Sequence, residues 1–203
     1  KLVPKWVFQT GVNEGGLQAT PIVLDGVMFV STSYNRVFAI DAGTGREIWH
    51  YFYQNPKDIG VIYSPWNRGV AVAQGRVFMG TLDNHVVALD QKTGRELWNV
   101  EVEPLKTCGC NITGAPLVVK DKVVVGVTGG DSAHRGYITA YSIKTGRMAW
   151  RFWTIPGPGE PGHETWKGDS WKSGGGSSWM TGSYDPALNL VYWSVGNPAA
   201  DFY

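Results

Sequence analysis

The sequence predicts an all-β protein, a β-propeller with four-stranded blades, and three observations lead to this prediction. A pattern of eleven residues, with a central Thr-Gly turn and a closing tryptophan, occurs at 39–49, 88–98 and 140–150. Short runs rich in β-branched residues surround these copies, and Asp-Gly, Gln-Gly and Thr-Gly pairs punctuate the runs. Helical periodicity is absent. Four strands in a repeat of about fifty residues, with one tryptophan per copy, are typical of a propeller blade.

The composition supports this class and excludes others. The chain has 203 residues, among them 27 glycines and 10 tryptophans, which indicates tight turns between short strands. Its net charge of +1, from 18 basic and 17 acidic side chains, leaves no basic excess for nucleic acid binding. No apolar run approaches the roughly 20 residues of a membrane-spanning helix. Because Lys1 leads directly into strand-like sequence, we also expect no signal peptide in this chain.

One partial propeller domain is expected over residues 1–203, with about three and a half blades. The blades lie near 17–53, 69–103, 115–153 and 182–203. The strands of the three complete blades are expected at 21–24, 27–31, 37–41 and 47–52, at 69–73, 77–80, 86–90 and 96–102, and at 116–119, 123–127, 137–142 and 148–153. Because propellers need at least four blades to close, we expect the chain to be the N-terminal segment of a longer protein.

The repeated tryptophans are predicted to be structural. Trp49, Trp98 and Trp150 each end one copy of the pattern, and Trp6 resembles the end of an earlier copy. We expect these side chains to wedge between neighbouring blades, where large apolar rings fill space well. The Thr-Gly turn before each of them is expected to cap the outermost hairpin.

The topology of a blade predicts where a site lies. Turns from the first to the second strand and from the third to the fourth reach one end of the blade, and here they are short. The second-to-third turns and the crossovers between blades reach the other end. The long and unusual segments all fall at this second end, at 52–68, 103–115, 129–136, 154–178 and 196–203. Long loops on one face of a rigid scaffold are where a ligand site is expected.

These loops carry four motifs, in the order Asn67-Arg68-Gly69, the glycine-rich loop 129–136, the Gly-Gly-Gly-Ser-Ser-Trp run at 174–179 and Gly196-Asn197-Pro198-Ala199. With the tryptophan-containing blades, they resemble the quinoprotein alcohol dehydrogenases of the methanol and ethanol type. The resemblance covers essentially the whole chain. It implies an eight-bladed propeller, of which this chain is about the first half, that carries pyrroloquinoline quinone (PQQ) and a Ca²⁺ or lanthanide ion.

The same resemblance implies a function. The protein would oxidise a primary alcohol to an aldehyde and pass the electrons to an acceptor such as a cytochrome c. It would be periplasmic, with a homodimer as a possible assembly. The family's catalytic aspartate would lie beyond Tyr203, so no catalytic residue is assigned, and we expect the 203-residue chain alone to be inactive.

Site residues follow from the resemblance position by position. Arg68 matches an arginine that contacts the quinone carbonyls, where a cation stabilises developing negative charge. Trp179 matches the tryptophan on which the flat ring stacks. Asp131 and Asn197 match the two metal ligands, and their hard oxygen atoms suit Ca²⁺ or a lanthanide better than zinc. The other cofactor-binding residues that the resemblance implies are Gln18, Thr113, Thr128, Gly129, Gly130 and Ser177.

The chain departs from the family pattern at two ligand positions and at a cysteine pair. Gln18 stands where the family often has a glutamate, and Asp131 is one methylene shorter than the usual glutamate. Ile62-Tyr63 occupies the place of the family's adjacent cysteines. Cys108 and Cys110 lie instead on the next crossover loop. They either form a small disulfide close to the cofactor and shield it, or remain free thiols in a reducing compartment.

Alternatives without catalysis stay open on the sequence. Arg68 would then pair with a surface carboxylate, Asp131 would cap a turn, and Trp179 would belong to the core. The rival function is a non-catalytic β-propeller scaffold of the outer-membrane-assembly type. That function explains the repeat, but it does not explain the Gly-Gly-Asp loop, the Asn-Pro loop or the long segment 154–178.

Overall fold

The described residues form three four-stranded antiparallel sheets and one two-stranded sheet, as expected for a partial propeller. The computed structural model describes residues 1–12, 15–57, 59 and 65–199. The first sheet contains β1 (Ile22–Leu24), β2 (Val27–Thr32), β3 (Arg36–Asp41) and β4 (Glu47–Phe52). The second contains β5 (Ala71–Ala73), β6 (Arg76–Gly80), β7 (His85–Asp90) and β8 (Glu96–Glu101). In every sheet the strands are adjacent in sequence order.

The third sheet contains β9 (Leu117–Val119), β10 (Lys122–Gly126), β11 (Tyr137–Ser142) and β12 (Met148–Trp153). The two-stranded sheet contains β13 (Ser183–Asp185) and β14 (Leu190–Tyr192). The helices are α1 (Leu105–Cys108) and three 3₁₀ segments, Gly130–Ser132, His163–Thr165 and Ser170–Ser173. None of the helices in the described part of the chain is long and apolar enough to span a bilayer.

Burial explains the pattern of apolar residues along each blade. The middle strands pack against neighbouring sheets on both faces, so their apolar residues run without alternation. Val37 to Ile40 in β3 and Val123 to Val125 in β10 are all buried. On the outer strand β4, Trp49 is the one buried residue. The core therefore lies as layers between adjacent sheets, with Phe29, Trp49 and Met79 in one layer.

Tryptophan docking between blades is confirmed for Trp6, Trp49 and Trp98. The prediction is wrong for Trp150, which is 43% exposed, because the sheet that follows has only two strands among the described residues. Trp49 is 8% exposed, and its Nε1 donates to the Gln91 carbonyl in the turn of the next blade at 3.0 Å. The equivalent bonds run from Trp6 to the Ala42 carbonyl and from Trp98 to the Ile143 carbonyl, both at 3.1 Å. The indole of Trp49 covers Gly94, where an added Cβ would lie 2.6 Å from the ring. The Thr-Gly turn is thus the surface on which the preceding blade docks, because only glycine leaves room for the ring.

Candidate functional site

The blade-to-blade crossovers are hydrogen-bonded to one another at one end of the sheets. The backbone N–H of Arg68 donates to the Thr113 carbonyl at 2.9 Å, which joins the first crossover to the second. Thr128 donates to the Asn111 carbonyl at 2.9 Å, and Ser178 donates to the Val127 carbonyl at 2.9 Å. These bonds satisfy backbone groups that the strands leave unpaired, and they hold the loops as one surface.

A close approach of two backbones makes one glycine obligatory in this surface. Gly126 ends β10 against the crossover that carries Ser178, and a Cβ at Gly126 would overlap the Ser178 carbonyl. The Ser178 hydroxyl donates to the Tyr137 carbonyl at 2.6 Å and accepts from the Val127 N–H at 3.2 Å. The third crossover is therefore fixed to the ends of two strands of the third sheet.

The hydrogen-bonded loops enclose a cavity of about 350 Å³. Its walls combine two indole rings, one guanidinium group, hydroxyl groups, one carboxylate and two side-chain amides. The lining residues are Trp66, Arg68, Asn111, Thr113, Thr128, Gly129, Asp131, Ser177, Trp179 and Asn197. All except Trp66 and Asn111 belong to the set that the sequence predicts. The structure therefore brings together residues that lie as much as 131 positions apart, at the end of the blades that the topology indicates.

Arg68 is the positively charged group in the lining of this cavity. Its Nη1 donates to the Thr113 hydroxyl at 2.7 Å, and its guanidinium carbon lies 4.8 Å from the centre of the Trp179 ring and 5.3 Å from that of Trp66. Partial burial lowers the pKa of the Arg68 guanidinium, but an arginine remains a cation in a protein. No salt bridge to Arg68 occurs among the described residues, so its charge is available to a ligand.

Asp131 and Asn197 touch each other in the same cavity. The Asn197 Nδ2 donates to the Asp131 Oδ1 at 2.8 Å, although 66 residues separate them. Asp131 stands in the 3₁₀ segment that follows Gly129, and Gly129 takes the left-handed backbone conformation with φ of 93°. That turn is accessible to glycine at little cost and directs the carboxylate toward the cavity. Among the described residues, no group of three or more His, Cys, Asp or Glu side chains is arranged to hold a metal.

Thr128 and Asn111 form a small buried network in the cavity wall. The Thr128 hydroxyl donates to the Asn111 Oδ1 at 2.8 Å and accepts from the Asn111 N–H at 2.9 Å. The Asn111 Nδ2 donates to the Leu82 carbonyl at 3.0 Å. These bonds hold the second crossover in place. The sequence shows no chemical signal for Asn111 beyond its position two residues before Thr113.

The disulfide alternative for the cysteines is confirmed. Cys108 and Cys110 are joined, with their Cα atoms 5.1 Å apart. Gly109 between them takes φ of 58°, the left-handed conformation that glycine tolerates. The Asn84 Nδ2 donates to both sulfurs, at 3.5 Å to Cys108 and 3.3 Å to Cys110. A Cβ at Gly129 would lie 3.1 Å from the Cys110 Cβ, so the disulfide sits directly behind the cavity wall.

Two of the predicted cofactor contacts, Gln18 and Gly130, are not part of the cavity lining. Gln18 is exposed and is not among the residues that line the cavity. Gly130 is buried beneath the lining, where an added Cβ would lie 2.8 Å from the Ser177 hydroxyl. The Ile62-Tyr63 pair lies outside the described residues.

A second cavity, of about 470 Å³, lies on the far side of the disulfide. Cys108, His134 and Arg135 contribute to its walls, together with Trp153 and Trp171. The cysteine loop thus separates two cavities. Cys108 faces the second cavity, and neither cysteine lines the first.

The fold and this cavity define a class: a tryptophan-docked propeller with an arginine, a flat indole, a carboxylate and side-chain amides at the crossover end. The whole chain, residues 1–203, matches the family described as PQQ, the glucose/ethanol/alcohol dehydrogenase β-propeller domain. The chain belongs to this family.

Individual relatives agree with this assignment. The chain is 40% identical to the quinoprotein alcohol dehydrogenase PedH of Pseudomonas putida, over 98% of this chain and 36% of that protein. It is 39% identical to methanol dehydrogenase [cytochrome c] subunit 1 of Methylobacterium organophilum, with the same coverage. A solved europium-containing methanol dehydrogenase is 39% identical, with a TM-score of 0.87, over 95% of this chain and 37% of that one. The chain thus spans about a third of the length of these relatives.

Proposed function

We propose that the protein carrying this chain oxidises a primary alcohol to an aldehyde with PQQ as its cofactor. The observation that carries this proposal is the meeting of Arg68, Trp179, Asp131 and Asn197 in one cavity of a chain that belongs to the PQQ family. Family membership also favours this function over the non-catalytic scaffold, since the scaffold leaves the cavity and its charged groups without a role.

The cavity is chemically suited to PQQ, a flat tricyclic quinone that carries several carboxylates. A guanidinium group without a carboxylate partner among the described residues offers charge-assisted hydrogen bonds to anionic oxygens. Trp179 is 38% exposed and presents an indole face to the cavity. Thr113 and Thr128 add hydroxyl groups. We infer that these residues hold the cofactor.

A hard cation fits the Asp131–Asn197 pair. Asp131 supplies a carboxylate, and a half-turn of the Asn197 amide would present its Oδ1 in place of the Nδ2 that now donates to Asp131. Two oxygen atoms alone are too few for Ca²⁺ or a lanthanide, so bound PQQ would have to complete the ligand set. The name of a relative, the lanthanide-dependent methanol dehydrogenase of Methylorubrum extorquens, 38% identical, supports a lanthanide as one of the two ions.

Each of these residues has a separate role in the proposed reaction. When bound, PQQ supplies the electron acceptor that alcohol oxidation needs, since the alcohol loses two electrons and two protons as the aldehyde forms. Arg68 would present its fixed positive charge to the oxygens of bound PQQ, and Thr113 keeps the guanidinium in place. Trp179 would offer its indole face to the cofactor ring. Among the described residues, we assign none as the base that takes the hydroxyl proton.

We further propose a cytochrome c or a similar acceptor as the electron partner, and the periplasm as the location. The Methylobacterium organophilum relative has cytochrome c in its name, which supports a cytochrome as the partner. The Cys108–Cys110 disulfide supports the periplasm, because disulfides persist in oxidising compartments.

Reconstitution tests the proposal. The intact protein, loaded with PQQ and either Ca²⁺ or La³⁺, is expected to reduce a redox dye when a short primary alcohol is added. Failure to bind PQQ with either ion would overturn the proposal.

The metal assignment is tested at Asp131. We expect Asp131→Ala to raise the ion concentration needed for half-maximal PQQ binding at least tenfold, because the protein carboxylate of the site is lost. Asp169→Ala is the matched control, since Asp169 is exposed and pairs with Lys172 at 2.8 Å, outside the cavity. Equal ion requirements in the two variants would contradict the assignment.

A further inference from the structure

Trp66 is a member of the cavity wall that no family motif assigned. It directly precedes Asn67-Arg68-Gly69, and its indole lies in the cavity with Arg68 and Trp179. The guanidinium of Arg68 contacts both indoles, at 5.3 Å from the Trp66 ring centre and 4.8 Å from the Trp179 ring centre. One planar group therefore already lies against two aromatic rings that come from different crossovers.

Trp66 and Arg68 both line this cavity, and the residue between them is held elsewhere. Asn67 between them is buried, donates to the Gly80 carbonyl at 2.9 Å and accepts from the Gly69 N–H at 3.1 Å. These bonds fix the segment, so Trp66 and Arg68 are both directed at the cavity.

The orientation of the Trp66 ring is also fixed. Its Nε1 donates to the Gly15 carbonyl. The neighbouring Gly16 carbonyl accepts from the Ser33 hydroxyl at 2.9 Å, which ties this segment to the end of the first sheet. A Cβ at Gly15 would lie 2.8 Å from both Ser33 and Pro65, so the backbone here is closely packed. The indole is half-buried and held at its polar edge, so its ring plane is fixed, with the Arg68 guanidinium over the ring and the cavity beside it.

We propose that Trp66 is a second aromatic wall for the cofactor, so that Trp66 and Trp179 together bind the flat quinone and keep Arg68 beside its oxygens. This inference rests on the proposed function. Planar π systems gain from offset or edge-to-face contact with an aromatic ring, and a ring on each crossover restricts the tilt of the cofactor. Trp66 is a binding and positioning residue, and it takes no part in proton or electron transfer.

The test is equilibrium dialysis of the intact apoprotein against PQQ at saturating La³⁺, with free PQQ measured by absorbance. Removing a stacked aromatic ring costs roughly 1–3 kcal/mol for flat heterocycles, which corresponds to about 5- to 150-fold in affinity. We therefore expect Trp66→Ala and Trp66→Leu to raise the Kd at least fivefold. Trp66→Phe keeps a ring, and we expect it to stay within about threefold of the wild type.

Trp171→Ala is the matched control. Trp171 also lies against an arginine, 4.8 Å from the guanidinium carbon of Arg135, but it lines the second cavity. Its Kd for PQQ is expected to equal that of the wild type. Thermal unfolding of each variant checks that the fold is intact, and the Leu variant serves if the Ala variant does not fold.

The outcomes separate this inference from the proposed function. A wild-type protein that binds PQQ, beside Trp66→Ala and Trp66→Leu variants that bind it equally well, would overturn the role of Trp66 and leave the proposed function standing. A loss in Trp66→Phe as large as in Trp66→Leu would also overturn it, because the aromatic face would then be irrelevant. A wild-type protein that binds no PQQ overturns the proposed function itself.

Discussion

Two arginines in neighbouring cavities each lie against two tryptophans, and they differ in what else they bind. Arg68 contacts Trp66 and Trp179 in the first cavity. Arg135 contacts Trp153 at 4.4 Å and Trp171 at 4.8 Å in the second. The aromatic surroundings are therefore equivalent, and the difference between the two sites lies in their hydrogen bonds and charges.

Arg135 is held by protein acceptors at two of its three nitrogens. Its Nε and Nη2 donate to the Ile155 carbonyl at 2.9 and 2.6 Å, and its Nη2 pairs with Glu160 at 3.2 Å. Arg68 makes one side-chain hydrogen bond that the structure describes, from its Nη1 to the neutral hydroxyl of Thr113. Burial lowers the pKa of both groups, but the Glu160 carboxylate opposes this at Arg135.

A stacked arginine has a structural role when the protein supplies acceptors for its other N–H donors, and a ligand-binding role when those donors face a cavity. Five N–H donors in a planar fork are costly to bury without acceptors. At Arg135 the protein supplies acceptors, and the side chain fastens the segment that begins after β12. At Arg68 the donors face an open cavity, so a ligand with anionic oxygens is the natural partner.

The largest expected effect comes from removing each arginine in turn. Arg68→Ala deletes charge-assisted hydrogen bonds to the cofactor, each worth about 1.5–3 kcal/mol, so we expect the Kd for PQQ to rise by about 10- to 150-fold. The melting temperature should change little. Equilibrium dialysis and calorimetry measure the two quantities.

Arg135→Ala is expected to show the opposite profile. It leaves the Ile155 carbonyl without its donors, at a cost of about 1–3 kcal/mol in the free energy of unfolding. PQQ affinity should stay within twofold of the wild type. If both variants lost affinity equally, the two arginines would not differ as their hydrogen bonds suggest.

A smaller effect is expected from the disulfide between the two cavities. Replacing Cys108 and Cys110 by serine removes a cross-link over a very short loop, so the free energy of unfolding should fall by about 1–2 kcal/mol. Chemical denaturation measures this change. The predicted shielding of the cofactor is tested by the rate of PQQ release, which should increase in the double variant.

Intact mass with thiol alkylation provides the companion measurement. Protein from its native compartment should take up no label before reduction and label at both cysteines after it. Two freely labelled thiols in unreduced protein would contradict the disulfide.

The smallest expected effect concerns pH and His134 in the second cavity. His134 is 8% exposed, and its burial lowers the pKa of the imidazole, with Glu103 opposing the shift and Arg151 adding to it. The folded state therefore binds a proton less readily than the unfolded state does. Stability is lost as the pH falls below the unfolded value of about 6.5.

His134→Gln should remove this part of the acid sensitivity. We expect the drop in melting temperature between pH 7.5 and 5.5 to be smaller in the variant than in the wild type. PQQ affinity at pH 7.5 should be unchanged, since His134 does not line the first cavity. An identical drop in both proteins would show that His134 does not contribute.

The architecture could be predicted because its signals are local. Strand positions follow from β-branched runs and turn pairs. In the three four-stranded sheets, each observed strand end lies within two residues of the predicted one, as at Val27–Thr32. The repeated tryptophans predicted docking between blades, because a large ring at a fixed place in each repeat must fill the same space in each. The loop lengths then indicated the end of the blades at which the cavity lies.

Most of the lining could be predicted only through the family motifs, and residues outside those motifs were missed. The place of Trp66 in the cavity depends on the Gly15 carbonyl, which accepts from its Nε1, and on Trp179, which lines the same cavity. Asn111 lies in the wall because its amide and backbone bond to Leu82 and Thr128. Such contacts join distant parts of the chain, and no spacing within one loop encodes them.

By itself, the sequence determined that this protein is a propeller of tryptophan-docked blades with its unusual loops at one end, because strand formation and turn geometry depend on neighbouring residues. Only the tertiary structure decided that Cys108 faces a second cavity. It also decided that Arg135 is held by a carbonyl and a carboxylate while Arg68 bonds one neutral hydroxyl and faces a cavity. The two side chains are chemically the same, and their different roles arise because folding brings the Ile155 carbonyl and the Glu160 carboxylate within 3.2 Å of Arg135, whereas Arg68 has no carboxylate partner among the described residues.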